Sequence, residues 1–455
     1  MPLRSVNPTS GELIREYSEL TPTEIQEKLA QAQSTFESWK NTSFQERGVL
    51  MQKMAEYLRA HKNEMGSLAT AEMGKTIKAA EAEIEKCAIT CEYYAKNAEV
   101  FLSHEVLSLP VKESFVTFEP FGVVLAVMPW NFPYWQVYRF AAPALMAGNV
   151  GLLKHASNVP QCAEAIEAAF VACGFPKGVF QNLLITSPQV EAVIRDVRVK
   201  AVTLTGSEHA GSMVAKVAGE ELKKTVLELG GSDPFIVLAD ASIEDAAKTA
   251  ATVRLQYNAG QSCIAAKRFI VHENVAEEFT KRFAEHFSAL KVGDPADPAT
   301  DVGPLANARG LADIESQVNR SVALGARIVV GGKRVGEQGS FYAPTVLADV
   351  KKGMPAYDEE TFGPVAAVIT VKSDEEAIEV ANDTIYGLAS TIFSKDIERA
   401  KKLASQIDAG AVFINCPVKS DPAMPFGGIK KSGYGRELSH YGIKEFVNVK
   451  TVMVG

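Results

Sequence analysis

The sequence predicts an α/β protein with parallel sheets covered by helices on both faces. Short apolar runs alternate with amphipathic helical stretches along most of the chain, the pattern of strands buried on two sides. The alternation begins afresh after Gly230-Gly231-Ser232, which marks a boundary between two α/β series. At 455 residues the chain is too long for one core of ~100 to 200 residues, so two or three units are expected.

The N-terminal elements are helical. Thr21-Pro-Thr-Glu24 and Ser43-Phe-Gln-Glu46 each place a hydroxyl at the first cap and a glutamate three residues later, the capping-box arrangement that opens a helix. Helical periodicity then runs, with interruptions, to about Phe101. From Val106 to Phe121 alternating β-formers predict a strand pair. The first α/β series comes next: strand 122–128, helix 134–147, strand 150–154, helix 159–171, then strands at 181–185 and 201–204, each leading into a helix. The second series places strands at 235–238, 268–272 and 326–330, with helices from Ile243 and over 275–290. No internal repeat or low-complexity tract stands out.

Bulk properties exclude several classes. A composition of 47% hydrophobic and 22% charged residues is ordinary for a globular protein, and a net charge of −8 gives no reason to expect a nucleic acid as partner. The most apolar stretches are broken by Pro129, Pro143, Gly148 and Asn149, whereas a membrane span needs ~20 apolar residues. The N-terminus lacks a basic region followed by an apolar core, so no secretory signal is expected and the cytoplasm is the default location. Six cysteines, Cys87, Cys91, Cys162, Cys173, Cys263 and Cys416, are too sparse for a disulfide framework and show no zinc-type spacing. Cys87 and Cys91 lie one helical turn apart and read as helix packing. No metal is expected.

Three residues stand out chemically. Asn258-Ala-Gly-Gln-Ser-Cys263 ends a helix and enters a polar, glycine-containing turn before an apolar strand, an exposed setting for a nucleophilic thiol or for an incidental one. Glu228, in Thr225-Val-Leu-Glu-Leu-Gly-Gly231, is an acid inside an apolar strand; desolvation raises such a carboxyl toward the range of a general base, unless a salt bridge occupies it. Asn131, in Pro129-Trp-Asn-Phe-Pro133, follows the first apolar strand at its carboxyl end, where open α/β sheets bind ligands. Its amide suits an oxyanion, or merely a turn.

Together these motifs, with Leu204-Thr-Gly-Ser207, Glu360-Thr-Phe-Gly-Pro364 and Pro425-Phe-Gly-Gly428, occur in the order and approximate spacing of the aldehyde dehydrogenase superfamily, which the chain resembles over essentially its whole length. The resemblance implies a Rossmann-type cofactor domain at 1–102 and 121–230, an α/β catalytic domain at 231–430, and a small β oligomerisation extension at 103–120 and 431–455. It also implies the chemistry. Cys263 as thiolate attacks an aldehyde, Asn131 and the Cys263 amide hold the oxyanion, hydride passes to a nicotinamide, and Glu228 activates water to hydrolyse the thioester.

The usual Gly-x-Gly-x-x-Gly fingerprint is absent, the turn after the first strand being Met128-Pro-Trp-Asn131. The resemblance implies instead that Gly206 and Ser207, opening a helix, approach the pyrophosphate. It places Trp130, Leu229, Glu360 and Phe362 at the cofactor, the last two at its nicotinamide ribose and ring. After the second strand, Leu153-Lys-His-Ala-Ser157 carries no acid to grip the adenosine ribose hydroxyls. Ser157 stands where NAD-preferring relatives carry Glu, and Lys154 adds positive charge, so NADP is expected, with NAD as the alternative.

Arg139, on the helix after the Asn131 loop, is placed to read a substrate carboxylate at the site mouth, or else to form a surface ion pair. The resemblance extends to a bacterial branch whose members oxidise succinate semialdehyde and direct Arg and Ser, here Arg139 and Ser420, at its carboxylate. Many members carry a further Arg six residues before the cysteine; Tyr257 stands there. The expected substrate is succinate semialdehyde, with other aliphatic or ω-carboxylated aldehydes as alternatives. Pairing through strands near 103–120 and 446–454 implies a homodimer or homotetramer. Two rivals remain: an acylating enzyme that passes the thioester to coenzyme A, for which Glu228 would be superfluous, and a non-catalytic ligand-binding protein, against which all three chemical positions are filled.

Overall fold

The computed structural model describes residues 3–256 and 258–455. The two capping boxes predicted from the sequence form as read: Thr21 caps helix Pro22–Trp39 and Ser43 caps helix Phe44–Ala60. Helices Lys62–Met73 and Ile77–Phe101 complete the N-terminal layer. A two-stranded hairpin, Leu3–Val6 with Leu13–Tyr17, precedes them.

Among the described residues, a six-stranded sheet runs in the order Gly433–Tyr434, Lys224–Glu228, Val199–Thr205, Val123–Val127, Val150–Lys154, Phe180–Asn182. All neighbours except the first pair are parallel. A seven-stranded sheet runs Arg327–Val330, Thr345–Ala348, Val365–Val371, Arg268–His272, Pro234–Val237, Ala389–Phe393, Ala411–Ile414, again parallel except for the first pair. The chain crosses from one sheet to the other between Glu228 and Pro234.

Strand burial explains the layering. In the second sheet Phe235 and Val237 pack into one apolar cluster with Phe269, Phe279 and Phe283, while Ile236 and Leu238 pack into another with Ile270 and Ile314. Side chains alternate across a strand, so a strand apolar at every position must be covered on both faces.

A third sheet, Val447–Val454, Glu113–Pro120, Glu105–Val106, is antiparallel and leaves Val447–Val454 at its rim. Val449 and Met453 on that rim are 61% and 56% exposed.

Two sequence expectations need correction. The strand expected over 181–185 is shorter and earlier, Phe180–Asn182, because Leu183–Ile185 leads into the helix capped at Thr186. The strand expected over 326–330 lies antiparallel at the edge of the second sheet, outside the parallel series. Residues beyond it supply four more strands of that sheet.

Strand register gathers the motifs at two facing edges. Val127 pairs with Lys154 and Leu204, and Thr205 pairs with Glu228, so the strand ends carrying Trp130, Lys154, Gly206 and Glu228 share the carboxyl edge of the first sheet. In the second sheet, Gly231, Cys263 and Glu360 lie just before the parallel strands that begin at Pro234, Arg268 and Val365.

Candidate active site

The cysteine turn is built by backbone constraint. After a π-helical stretch, Thr252–Gln256, the chain turns through Ala259 and Gly260 at φ of 50° and 77°, the left-handed region that favours glycine. A Cβ on Gly260 would lie 2.1 Å from the carbonyl oxygen of Gly363, so the turn and the 360–364 strap approach as only glycine permits. Arg254 secures that strap, donating to the carbonyls of Val365, Thr361 and Gly363 at 2.7, 2.6 and 2.6 Å.

Cys263 is half-buried, and burial pushes its thiol up to about 12, against the opposing pull of Lys267 and Arg139. The turn expected to be an exposed setting instead holds the sulfur half-buried against apolar side chains of the first core, and that burial disfavours the thiolate. Lys267 Nζ donates to the carbonyls of Ser262 and Cys263 at 2.9 and 2.6 Å and lies 3.4 Å from Glu360 Oε1. Glu360 in turn accepts from the Gly231 amide at 3.0 Å. One lysine thus ties the cysteine turn to the strap that carries Glu360 and Phe362.

Asn131 is buried beside the same turn. Its Nδ2 donates to the Gln261 carbonyl at 3.0 Å, and its Oδ1 accepts from Gln136 at 3.1 Å. One amide hydrogen is thereby committed and one is left. The Cys263 amide has no acceptor among the described residues. The loop is held from beneath: Glu83 accepts from the amides of Tyr134 and Trp135 at 2.8 Å each and pairs with Lys75, whose ammonium sits 3.7 Å from the centre of the Phe132 ring. His155, pushed down to about 4 by burial, is neutral and bonds the Pro133 carbonyl through Nε2 at 2.8 Å.

Glu228 is 2% exposed, and neither carboxyl oxygen has a hydrogen-bond partner among the described residues. Burial, reinforced by the nearby Glu437, raises its pKa well above the ordinary carboxylate value, with Arg139 and Arg436 opposing. Its carboxyl is turned toward Gly427, where an added Cβ would fall 2.6 Å from Oε1, and it does not line the cavity onto which Cys263 faces.

That cavity, of about 240 Å³, opens between helices Ile77–Phe101 and Trp135–Met146, the cysteine turn and the 417–426 segment; Cys263, Arg139 and Ser420 all line it. Arg139, expected to read a substrate carboxylate or else to form a surface ion pair, lines this cavity but is ion-paired in the interior and not at the surface. Its guanidinium is 2% exposed, pairs with Glu437, donates to Thr205 Oγ1 at 3.3 Å and stacks 4.6 Å from the Phe426 ring centre. Leaving either buried charge without the other would cost about 3–5 kcal/mol, which holds Glu437 and Arg139 together. Ser420 Oγ accepts from Lys86 Nζ at 2.6 Å. Lys86, held 4.0 Å over the Trp135 ring, is pushed down to about 8 by burial and then by Arg139. Tyr257 lies outside the described residues.

The residues expected at a cofactor line the first sheet's carboxyl edge. Ser207 caps helix Glu208–Glu220, its Oγ accepting from the Ala210 amide at 3.3 Å, with Gly206 just before it. Leu229 packs on that helix, its Cδ atoms 2.6 Å from where a Gly211 Cβ would be. Trp130 and Phe362 meet edge to face, ring centres 5.8 Å apart. Lys154 is 7% exposed and has no carboxylate partner among the described residues; Ser157 is exposed two residues beyond His155. A buried ammonium without a carboxylate partner, three residues before a neutral hydroxyl, suits an added phosphate, and neither is the acid that grips two ribose hydroxyls.

Lys86, Lys267, Arg254, Glu83 and Glu437 are site residues that sequence reasoning missed. Lys267 alone carried a signal, a lysine at the mouth of an apolar strand four residues after the cysteine. Lys86 sits in an amphipathic helix, where a lysine reads as solvated surface.

Residues 1–452 match the family model described as the aldehyde dehydrogenase family. A protein of Synechocystis sp. described as a probable succinate-semialdehyde dehydrogenase [NADP(+)] is 52% identical over 454 residues, covering 100% of both chains. A succinate-semialdehyde dehydrogenase [NADP(+)] of Mycobacterium bovis is 50% identical over 457 residues, again covering 100% of both. The crystal structure of succinic semialdehyde dehydrogenase from Streptococcus pyogenes with NADP+ superposes with a TM-score of 0.97 at 40% identity, covering 99% of each chain.

Proposed function

The chain belongs to the aldehyde dehydrogenase family, and on that premise we propose that it oxidises succinate semialdehyde to succinate with NADP, through a thioester on Cys263. The observation that carries this reading is the shared cavity: a cysteine on one wall, with the Ser420 hydroxyl and cationic side chains on the others. The Synechocystis and Mycobacterium relatives support the same substrate and cofactor.

Cys263 gives its proton to solvent water and its sulfur adds as thiolate to the aldehyde carbon, an ionisation that Lys267 and Arg139 favour electrostatically. The uncommitted hydrogen of the Asn131 amide and the Cys263 N–H stabilise the oxygen as it becomes negative. Bound NADP supplies the hydride acceptor; Lys154, Ser157, Gly206 and Ser207 would hold its phosphates, and Glu360 and Phe362 its nicotinamide end. Loss of hydride from the Cys263 adduct leaves a thioester. Glu228, once ionised and swung from Gly427 toward the sulfur, takes a proton from water as the water oxygen adds to the thioester carbon; the Cys263 sulfur leaves as thiolate and the acid is released.

We read residues 1–102 and 121–230 as the cofactor-binding unit, 231–430 as the catalytic unit, and the third sheet, within 103–120 and 431–455, as the surface that pairs subunits into a dimer or tetramer. The exposed rim of Val449 and Met453 supports that pairing. No described helix is long and apolar enough to cross a membrane, and we place the protein in the cytoplasm.

The test is a panel of aldehydes of graded length, with and without a terminal carboxylate, assayed with NADP and with NAD, in the presence and absence of coenzyme A. Highest kcat/KM for succinate semialdehyde with NADP, independent of coenzyme A, is expected. Preference for uncharged aldehydes, or dependence on coenzyme A, would overturn it.

A further inference from the structure

Four cationic side chains line the cavity that Cys263 opens into: Arg139, Arg254, Lys419 and Lys86. Three are less suited to seat an anion. The charge of Arg139 is matched by Glu437, Arg254 is anchored through Nε and Nη2 to three backbone carbonyls of the strap with only Nη1 unpartnered, and Lys419 is exposed with no fixing contact among the described residues. Lys86 combines what each of these lacks. Its ammonium is fixed at both ends of its reach, 2.6 Å from Ser420 Oγ and 4.0 Å from the Trp135 ring centre, and no carboxylate lies within ion-pair distance among the described residues. The acid sharing the wall, Glu83, is occupied by Lys75 and by the amides of Tyr134 and Trp135.

We propose that Lys86 is a specificity-determining residue, the principal cation for the substrate carboxylate, acting as a unit with Ser420. The proposal rests on the reading of this cavity as a site for an ω-carboxylated aldehyde. An ammonium carries three hydrogens and no acceptor, and Ser420 takes one of them. Ser420, having accepted from Lys86, directs its own hydrogen elsewhere, so the pair presents several N–H and O–H donors against the one remaining lone pair of the hydroxyl. A carboxylate satisfies both, and in a partly desolvated pocket such charge-assisted bonds are roughly twice as strong as neutral ones. An uncharged aldehyde of the same length satisfies neither.

The experiment compares kcat/KM for succinate semialdehyde and for butanal in the wild type, Lys86→Met, Lys86→Arg and Lys419→Met. The expected result is a wild-type preference for the carboxylated substrate that drops by roughly tenfold or more in Lys86→Met, through KM more than kcat, and recovers in part in Lys86→Arg. Lys419→Met shifts it far less. A preference unchanged in Lys86→Met, an equal loss on both aldehydes, or a larger loss in Lys419→Met overturns the role of Lys86 and leaves the substrate reading standing. Absence of any preference in the wild type removes that reading and this proposal with it. Should Lys86→Met melt early, Lys86→Gln carries the same comparison, with the inhibition constants of succinate and butyrate against butanal as a second measure.

Discussion

Lys267 holds the backbone of Cys263: its Nζ donates to the cysteine carbonyl at 2.6 Å while lying 3.4 Å from Glu360 Oε1. One cation thus positions the nucleophile, lowers the cost of its ionisation and links it to the strap at the cofactor. Lys267→Met removes charge-assisted bonds worth ~1.5–3 kcal/mol and leaves a partly buried carboxylate without its cation. A roughly 10- to 100-fold drop in kcat/KM is expected, with slower alkylation of Cys263 at fixed pH, since the thiol is pushed higher still. Alkylation at the wild-type rate would show that the lysine has no electrostatic hold on the sulfur.

Cys263 and Cys416 should separate under alkylation. Cys416 is exposed, whereas the Cys263 thiol is half-buried and pushed up to about 12. In the protein alone, iodoacetamide near neutral pH is expected to label Cys416 first. The rate at Cys263 should keep climbing from about pH 8 to about pH 11, because a raised pKa keeps the thiolate fraction rising over that window. Peptide mapping against pH reads both sites; a Cys263 rate that levels off below about pH 9 would contradict the burial effect.

What was legible in the sequence was what local pattern encodes. The capping boxes at Thr21 and Ser43, the apolar strands at 123–127 and 268–272, and the polar turn before Cys263 each follow from neighbouring residues. The order of the motifs carried the family. Long-range pairings were not legible: nothing near Arg139 in sequence announces Glu437, and nothing near Lys86 announces Ser420, 334 residues away. The exposure of Cys263 was misread for the same reason, since a polar turn looks solvated until the other core elements close over it. Only the meeting of the first sheet's carboxyl edge with the turns that enter the second brings these groups together.

Cofactor choice should turn on Ser157 and Lys154. The ammonium of Lys154 is buried, lowered in pKa by that burial, and lacks a carboxylate partner among the described residues. Ser157→Glu places an acid where it repels a 2′-phosphate and accepts from ribose hydroxyls. The ratio of kcat/KM for NADP over NAD is expected to fall by at least roughly tenfold, about 1.4 kcal/mol, and Lys154→Met should raise KM for NADP more than for NAD. A ratio unmoved by Ser157→Glu would place the discriminating contact elsewhere.

Glu228 should trade stability for function. In the unfolded chain its carboxyl ionises near 4.5, while in the folded protein burial and Glu437 raise it well above that value. A group whose folded pKa is raised contributes stability that is fully present below the unfolded pKa and lost as pH rises toward the folded one. Above about pH 4.5, folding must therefore take up a proton at Glu228, at ~1.4 kcal/mol per pH unit until the folded pKa is reached. Glu228→Gln keeps the shape and removes the proton uptake, so its Tm should exceed that of the wild type, by a margin that widens as pH rises above about 4.5 toward the folded pKa. The same variant loses the base for thioester hydrolysis: rapid mixing with aldehyde and NADP should give a burst of reduced nucleotide with little turnover after it, and the acyl group should be found on Cys263 by mass spectrometry. A margin in Tm that does not grow with pH would mean that Glu228 is ionised in the folded protein, and sustained turnover would mean that another group activates the water.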